Sequence, residues 1–326
     1  MGSITEVRCY SARVSFVARY SHAPCLLPLF LARLSQQLVG PAGVGKTQLA
    51  LTLTALAPLP CALGGLGEDS GVIYVDTEGK FNPTRLIEIA QAKAPSFFAP
   101  EANDGDGANL GRDRVMRLIA NVQVYTVRSS AELLDILQKL RSVMPAHCTR
   151  LVVVDSVAAL ARQEFGADTL IARQDLLAQQ AALLKSLAED FGVPVVVTNQ
   201  VTTRFARDAA DEGALGPALG NTWAHCVNTR LVLMPQRAEP GGSGEGRVLS
   251  IAKSPLAGPC ETVYCIGPSG LESIEGEPAV APRSERIDAR GQAGISMGSC
   301  MASGAALGTS NWQQQHSKAE ARPGES

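Results

Sequence analysis

Net charge is nearly absent from this chain: 29 lysines and arginines stand against 31 acidic residues, leaving −2. That balance excludes a global basic field, so any contact with nucleic acid must come from a local patch. Paired cysteines are missing as well. The eight cysteines (Cys9, Cys25, Cys61, Cys148, Cys226, Cys260, Cys265 and Cys300) include no Cys-x-x-Cys spacing and no histidine at ligand distance. This speaks against zinc and against a disulfide framework, and it sets reduced thiols in cytosol or nucleus as the expectation. No apolar run reaches membrane length, because residues 23–32 are short and broken by two prolines. Acidic residues are lacking over residues 7–67, where several arginines and serines occur. With Arg8, Arg13 and Arg19 ahead of the apolar run this mimics a secretory signal, but cleavage after it would strip the strand from the motif described next. A mitochondrial presequence is the better competitor of the two.

What is present is the stretch Gly40-Pro-Ala-Gly-Val-Gly-Lys-Thr47. Its pattern of Gly, four residues and Gly-Lys-Thr builds a phosphate-binding loop between a strand and a helix. Gly40, Gly43 and Gly45 let backbone N–H groups converge on anionic oxygens at a helix N-terminus. Lys46 would reach the outer phosphates, and the Thr47 hydroxyl would take a place on Mg²⁺. The loop proper is Gly40, Pro41, Ala42, Gly43, Val44, Gly45, Lys46, Thr47 and the following Gln48. The plain alternative, a glycine-rich turn before a helix, loses ground once the rest of the chain is read.

The strand that should feed the loop is the weakest part of the sequence. Only Leu38 and Val39 precede Gly40 after the polar Ser35, Gln36 and Gln37. Joining Glu6 to Leu38 gives Gly-Ser-Ile-Thr-Glu-Leu-Val-Gly, a continuous strand and loop. Residues 7–37 therefore read as an in-frame insertion of unspliced origin, and on this reading they disrupt the first strand. Downstream, residues 48–56 predict the loop helix, residues 71–76 a buried strand ending at Asp76-Thr-Glu-Gly79, and residues 83–93 a helix opened by Pro83. Residues 99–113 read as a Gly/Asp/Asn-rich surface loop. A strand over 122–125, a helix over 130–143 and a strand over 150–155 follow. The apolar run of that last strand ends in Asp155, a carboxylate suited to hold the water shell of Mg²⁺. A long amphipathic helix over 172–191 leads to a buried strand over 193–198 and then Asn199-Gln200. No periodicity survives over 201–217, where Arg204 and Arg207 stand among small and acidic residues. Strands resume at 228–234, 247–253 and 261–266, spaced for an antiparallel extension. From about residue 277 the composition predicts a disordered tail.

Strands alternating with helices imply an α/β fold with a mostly parallel sheet. The ordered set of strings resembles the core of the RecA-type recombinase family. Its pieces are residues 40–47, Val72-Ile-Tyr-Val-Asp-Thr-Glu-Gly79, residues 151–156, Thr198-Asn-Gln-Val201, Ala218-Leu-Gly-Asn-Thr-Trp-Ala-His-Cys-Val-Asn-Thr-Arg230 and Ala252-Lys-Ser-Pro-Leu256. The last two strings look most like the B-paralogue branch of the eukaryotic strand-exchange recombinases. The resemblance implies a RecA-like P-loop NTPase core over 38–275, with residues 1–37 an N-terminal strand fragment plus insertion and 276–326 a tail. It implies ATP and Mg²⁺ as cofactors, Thr47 and Asp155 at the metal, and Lys46, Glu78 and Gln200 as catalytic residues. Glu78 would polarise the attacking water, and Gln200 would sense the terminal phosphate and couple it to the loop after Val201. Arg204 and Arg207 in that loop would meet single-stranded DNA, with a solvated loop face as the even alternative. Trp223 and His225 are expected in the core or at a subunit interface, and Pro255 resembles the cap over ATP bound to a neighbouring subunit.

The expected role is that of an ATP-dependent, DNA-binding recombination mediator in nuclear double-strand break repair, a weak ATPase working with other recombinase paralogues and no membrane. The family's helical N-terminal domain and subunit-pairing linker are expected to be absent, which puts filament formation in question. Two alternatives stay open: a scaffold subunit for which turnover is irrelevant, and another RecA-fold ATPase. A GTPase is disfavoured because no Asn-Lys-x-Asp string occurs.

Overall fold

Runs of valine and isoleucine seed the sheet, and each run is followed by a helical stretch that covers one face of it. The structure, a computed structural model, describes residues 34–99, 107–165, 169–200, 202–203, 215–216, 223, 226–236 and 246–274. In chain order the first half carries β1 (Ser35–Gly40), α1 (Lys46–Leu56), β2 (Gly71–Asp76), α2 (Pro83–Lys93), α3 (Gly107–Ala120), β3 (Val122–Thr126), α4 (Ser130–Ala146) and β4 (Thr149–Asp155). The second half carries α5 (Val157–Glu164), α6 (Leu170–Phe191), β5 (Val195–Gln200), the short pair β6 (Thr202–Thr203) and β7 (Leu215–Gly216), then β8 (Thr229–Pro235), β9 (Arg247–Lys253), β10 (Glu261–Gly267) and β11 (Gly270–Ser273). Nine strands form one sheet in the order β11-β10-β9-β8-β1-β5-β4-β2-β3. The half from β8 to β3 is parallel, and β8 to β11 extend it antiparallel.

Helices cover both faces. One face packs Leu49, Leu53, Leu86 and Ile89 of α1 and α2 over Tyr74, Val153 and Leu231. The other packs Leu133, Leu137 and Leu140 of α4 and Leu177, Leu184 and Leu187 of α6 over Ile73, Val152 and Val197. Trp223 belongs to this second core and is buried. Apolar residues at helical spacing thus meet strands buried on both sides.

Two sequence expectations change here. The first strand is not disrupted: β1 uses Ser35, Gln36 and Gln37 together with Leu38 and Val39, and all six of its residues are buried. Parallel ladders hold it on both sides, Ser35 to Gly40 against Val195 to Gln200 of β5, and Gln36 to Val39 against Thr229 to Val232 of β8. Backbone pairing with two neighbours is indifferent to side-chain polarity, so position in the sheet overrides the low strand propensity. The second change concerns residues 107–113, expected in a surface loop, which form the start of α3. The Arg114 guanidinium donates to the Phe97 carbonyl at 2.6 Å and lies 4.6 Å from the Phe97 ring centroid, so tertiary contact outweighs the glycines. β11, unforeseen, pairs with β10 across the turn at Gly270. Residues 1–33 and 275–326, with Arg204, Arg207 and His225, lie outside the described residues.

Candidate functional site

The carboxyl ends of β1, β2, β4 and β5 meet at one edge of the sheet, where open α/β sheets place their ligands. β1 runs into the glycine-rich loop and the loop into α1. A Cβ at Gly40 would lie 2.4 Å from the Leu233 carbonyl oxygen, so only glycine lets β1 turn away from β8 there. Gly43 and Gly45 have φ of 78° and 105°, the left-handed region that favours glycine. Nothing lies within 4 Å of a Cβ placed on Gly43, which leaves its side of the loop open. Val44 is buried, and its carbonyl accepts the Tyr264 hydroxyl at 2.9 Å, bolting the loop to β10. The Lys46 ammonium donates to the Gly40 and Pro41 carbonyls at 2.8 and 2.7 Å. Burial lowers its pKa against the charges of Asp155 and Glu78. Gln48 accepts from Arg85 Nε at 3.1 Å.

Asp155 is the convergence point. Its carboxylate accepts the hydroxyls of Thr47 at 2.7 Å, Tyr74 at 2.9 Å and Thr198, the last by a very short bond. Two strands, β2 and β5, and the first turn of α1 therefore aim donors at one acid on β4. Burial first, then Asp155, raises the Tyr74 phenol well above its ordinary range, so it stays a donor. Thr47 and Asp155 side by side form a donor set of hard oxygens suited to Mg²⁺, which takes few protein ligands and keeps water and phosphate oxygens for the rest. No cluster of three or more His, Cys, Asp or Glu able to cage a metal occurs among the described residues.

Glu78 sits two residues past β2 on a turn that Asp76 shapes by accepting the Glu78 and Phe81 amides at 3.1 and 2.8 Å. Thr77 and Ser156 lace the ends of β2 and β4 with reciprocal bonds of 2.7 and 2.8 Å. Glu78 Oε1 accepts Ser156 Oγ at 2.8 Å and Gln200 Nε2 at 3.2 Å, and Oε2 accepts Lys80 Nζ in a very short ion pair. Burial alone would raise the Glu78 pKa; the bonds from Lys80, Ser156 and Gln200 outweigh it and hold the carboxyl below its ordinary range. These groups enclose a cavity of about 270 Å³ lined by Gly45, Lys46, Thr47, Glu78, Asp155 and Gln200.

The structure thus brings together Lys46, Thr47, Gln48, Glu78, Asp155 and Gln200. It places Pro255 apart, exposed beside Leu256. Sequence reading missed Tyr74, Asp76, Lys80, Ser156 and Thr198. Lys80 carried a signal, a cation two residues after the acid; Tyr74 and Thr198 carried none, since only strand order brings them to Asp155.

The Rad51 family profile matches residues 35–274. The human protein named DNA repair protein RAD51 homolog 2 is 36% identical over 257 residues, 72% of this chain and 62% of its own length. The mouse protein of that name is 36% identical over 72% of this chain and 68% of its own. The protein of that name in Arabidopsis thaliana is 34% identical over 78% of this chain and 68% of its own. The chain therefore spans about 62% of the length of the human relative. With the family match covering the sheet from its first strand to its last, and every edge residue of the site inside it, the chain belongs to the Rad51 family.

Proposed function

We propose that this chain binds ATP with Mg²⁺ in the cavity at the sheet edge and serves homologous-recombination repair of DNA breaks. In this role it acts on single-stranded DNA together with related recombinase-family chains. The observation that carries the reading is the meeting of the Thr47 hydroxyl and the Asp155 carboxylate at 2.7 Å beside Lys46 and Glu78. The curated relatives are named DNA repair proteins, which supports the setting, and a nuclear location follows from it. No helix among the described residues is long and apolar enough to cross a membrane.

When bound, the nucleotide and its ion supply a cleavable phosphoanhydride and Lewis-acid stabilisation of its charge. Thr47 and Asp155 would hold the ion, directly and through water, and the loop amides with Lys46 would bind the phosphates. Glu78 would orient a water and take its proton, with its carboxylate kept ionised by the donors around it. Gln200 touches Glu78 directly and continues into residues 201–203, so a change at the acid reaches the segment that also holds Arg204 and Arg207. Those two arginines are proposed as phosphate contacts to DNA.

Steady-state hydrolysis with and without single-stranded DNA tests this. Lys46→Ala should lose binding, and Glu78→Gln should bind ATP yet lose about 10²-fold or more in turnover. Wild-type turnover in Glu78→Gln would sink the catalytic role. Unchanged repair by Glu78→Gln in cells, with turnover lost, would instead favour a scaffold that uses ATP only to hold its interface. We also propose that residues 7–37 are an insertion, because the strand they complete buries three polar side chains.

A further inference from the structure

We propose that Lys80 is a contact for the terminal phosphate of a bound triphosphate, parked on Glu78 while the cavity holds none. The inference rests on the ATP-binding reading above. Lys80 lines the same cavity as Lys46, Thr47 and Glu78, and its ammonium is ion-paired to Glu78 Oε2. Its side chain is 59% exposed, against 17% for Glu78. The acid is therefore fixed in the wall by Ser156 and Gln200, whereas the lysine reaches in from solvent on a flexible stem. Its backbone stands on the turn that Asp76 holds from both sides, through the amides of Glu78 and Phe81. The anchor of Lys80 is thus rigid and its head is mobile.

An ammonium paired to Oε2 takes one of its lone pairs and lowers its basicity toward a water. A more negative group entering the cavity would compete for that ammonium and vacate Oε2. One movement would then add a cation to the outermost phosphate and expose the base. Lys46 would bind phosphate without this second effect, since its ammonium bonds the carbonyls of its own loop and not Glu78. A diphosphate, lacking the outermost group, would leave Lys80 on Glu78. The outcome is discrimination between triphosphate and diphosphate written into this one side chain.

The test uses the full chain with Mg²⁺ and two probes, ADP and the non-hydrolysable β,γ-imido analogue of ATP. Affinities are measured by calorimetry for wild type, Lys80→Met and Lys80→Arg. Lys80→Met should weaken the imido triphosphate about tenfold, the loss of one charge-assisted hydrogen bond, while ADP affinity stays within about twofold and reports a folded site. Lys80→Arg should recover most of the loss. In parallel, limited acetylation read by mass spectrometry should show Lys80 of the wild type protected by the imido triphosphate and not by ADP. Equal losses for both nucleotides, no loss for either, or equal protection by both overturns the proposal. A wild-type chain that binds neither nucleotide sinks the ATP reading itself, and the role of Lys80 with it.

Discussion

The densest convergence of single residues is on Asp155, whose carboxylate collects donors from Thr47, Tyr74 and Thr198. A hydrogen bond to a charged acceptor contributes about 1.5–3 kcal/mol, so Tyr74→Phe should lower unfolding free energy by that order in urea titration, with the fold retained. Glu78 and Lys80 give a dependence on pH. The acid's folded pKa lies below its ordinary 4.5, so its contribution is present above that value and fades as pH falls through the lowered one. The raised pKa of Lys80, above 10.5 because of its bond to Glu78, keeps the pair intact up to high pH. Lys46 and Arg162 also feel the Glu78 charge and steady it. The melting-temperature gap between wild type and Lys80→Met should therefore be flat between the ordinary values of 4.5 and 10.5 and shrink as pH falls below 4.5 through the lowered pKa of Glu78; because Lys80 is mostly exposed the gap itself is small. Of these residues Asp155 was legible in the sequence as an acid ending an apolar run, and Glu78 through the resemblance of the Asp76-Thr-Glu78 string at the end of a strand. Tyr74 and Thr198 were not, because a hydroxyl inside a strand says nothing of which acid a neighbouring strand will bring to it.

At the scale of elements, α2 and the β10–β11 hairpin hold the loop helix from outside. Arg85 donates to Gln48, to the Gly267 and Pro268 carbonyls and to Glu88. Arg85→Ala should free both ends at once, at a cost of about 1–3 kcal/mol, and should raise hydrogen exchange in residues 267–273 before the rest of the sheet. β1 carries the other test. The Gln37 side-chain Oε1 accepts Arg230 Nε at 3.2 Å, while its buried Nε2 finds no partner among the described residues. Removing residues 7–37 would give a strand of Ile4, Thr5, Glu6, Leu38, Val39 and Gly40, with a carboxylate beside Arg230 and an apolar side chain where Ser35 stands. The deletion variant should melt higher, by roughly 2–4 °C for each kcal/mol gained; a lower midpoint would refute the insertion. The existence of β2, β4, β5 and the long helix α6 could be read from apolar patterning. β1 and the start of α3 could not, since their neighbours in space, not their own residues, make them regular.

At the largest scale, the described residues form a sheet between two helical layers, with the candidate site at the carboxyl edge of its parallel strands. Among the described residues the apolar core falls into two clusters, and Leu187 of α6 is fully buried in the second and is not a lining residue of the cavity. Leu187→Ala should cost about 2–5 kcal/mol of stability and leave nucleotide affinity of the folded fraction unchanged, as calorimetry below the melting range would show. The register of β1 against β5 sets Gly40, first residue of the phosphate loop, opposite Gln200, last residue before the segment that leads to Arg204 and Arg207. Two ends of the proposed work thus face each other on one rung of the ladder, separated by a single strand spacing of about 4.8 Å. Beside the Gln200–Glu78 contact, the proposed coupling would thus have a backbone route that substitutions other than proline leave in place, one set by strand order.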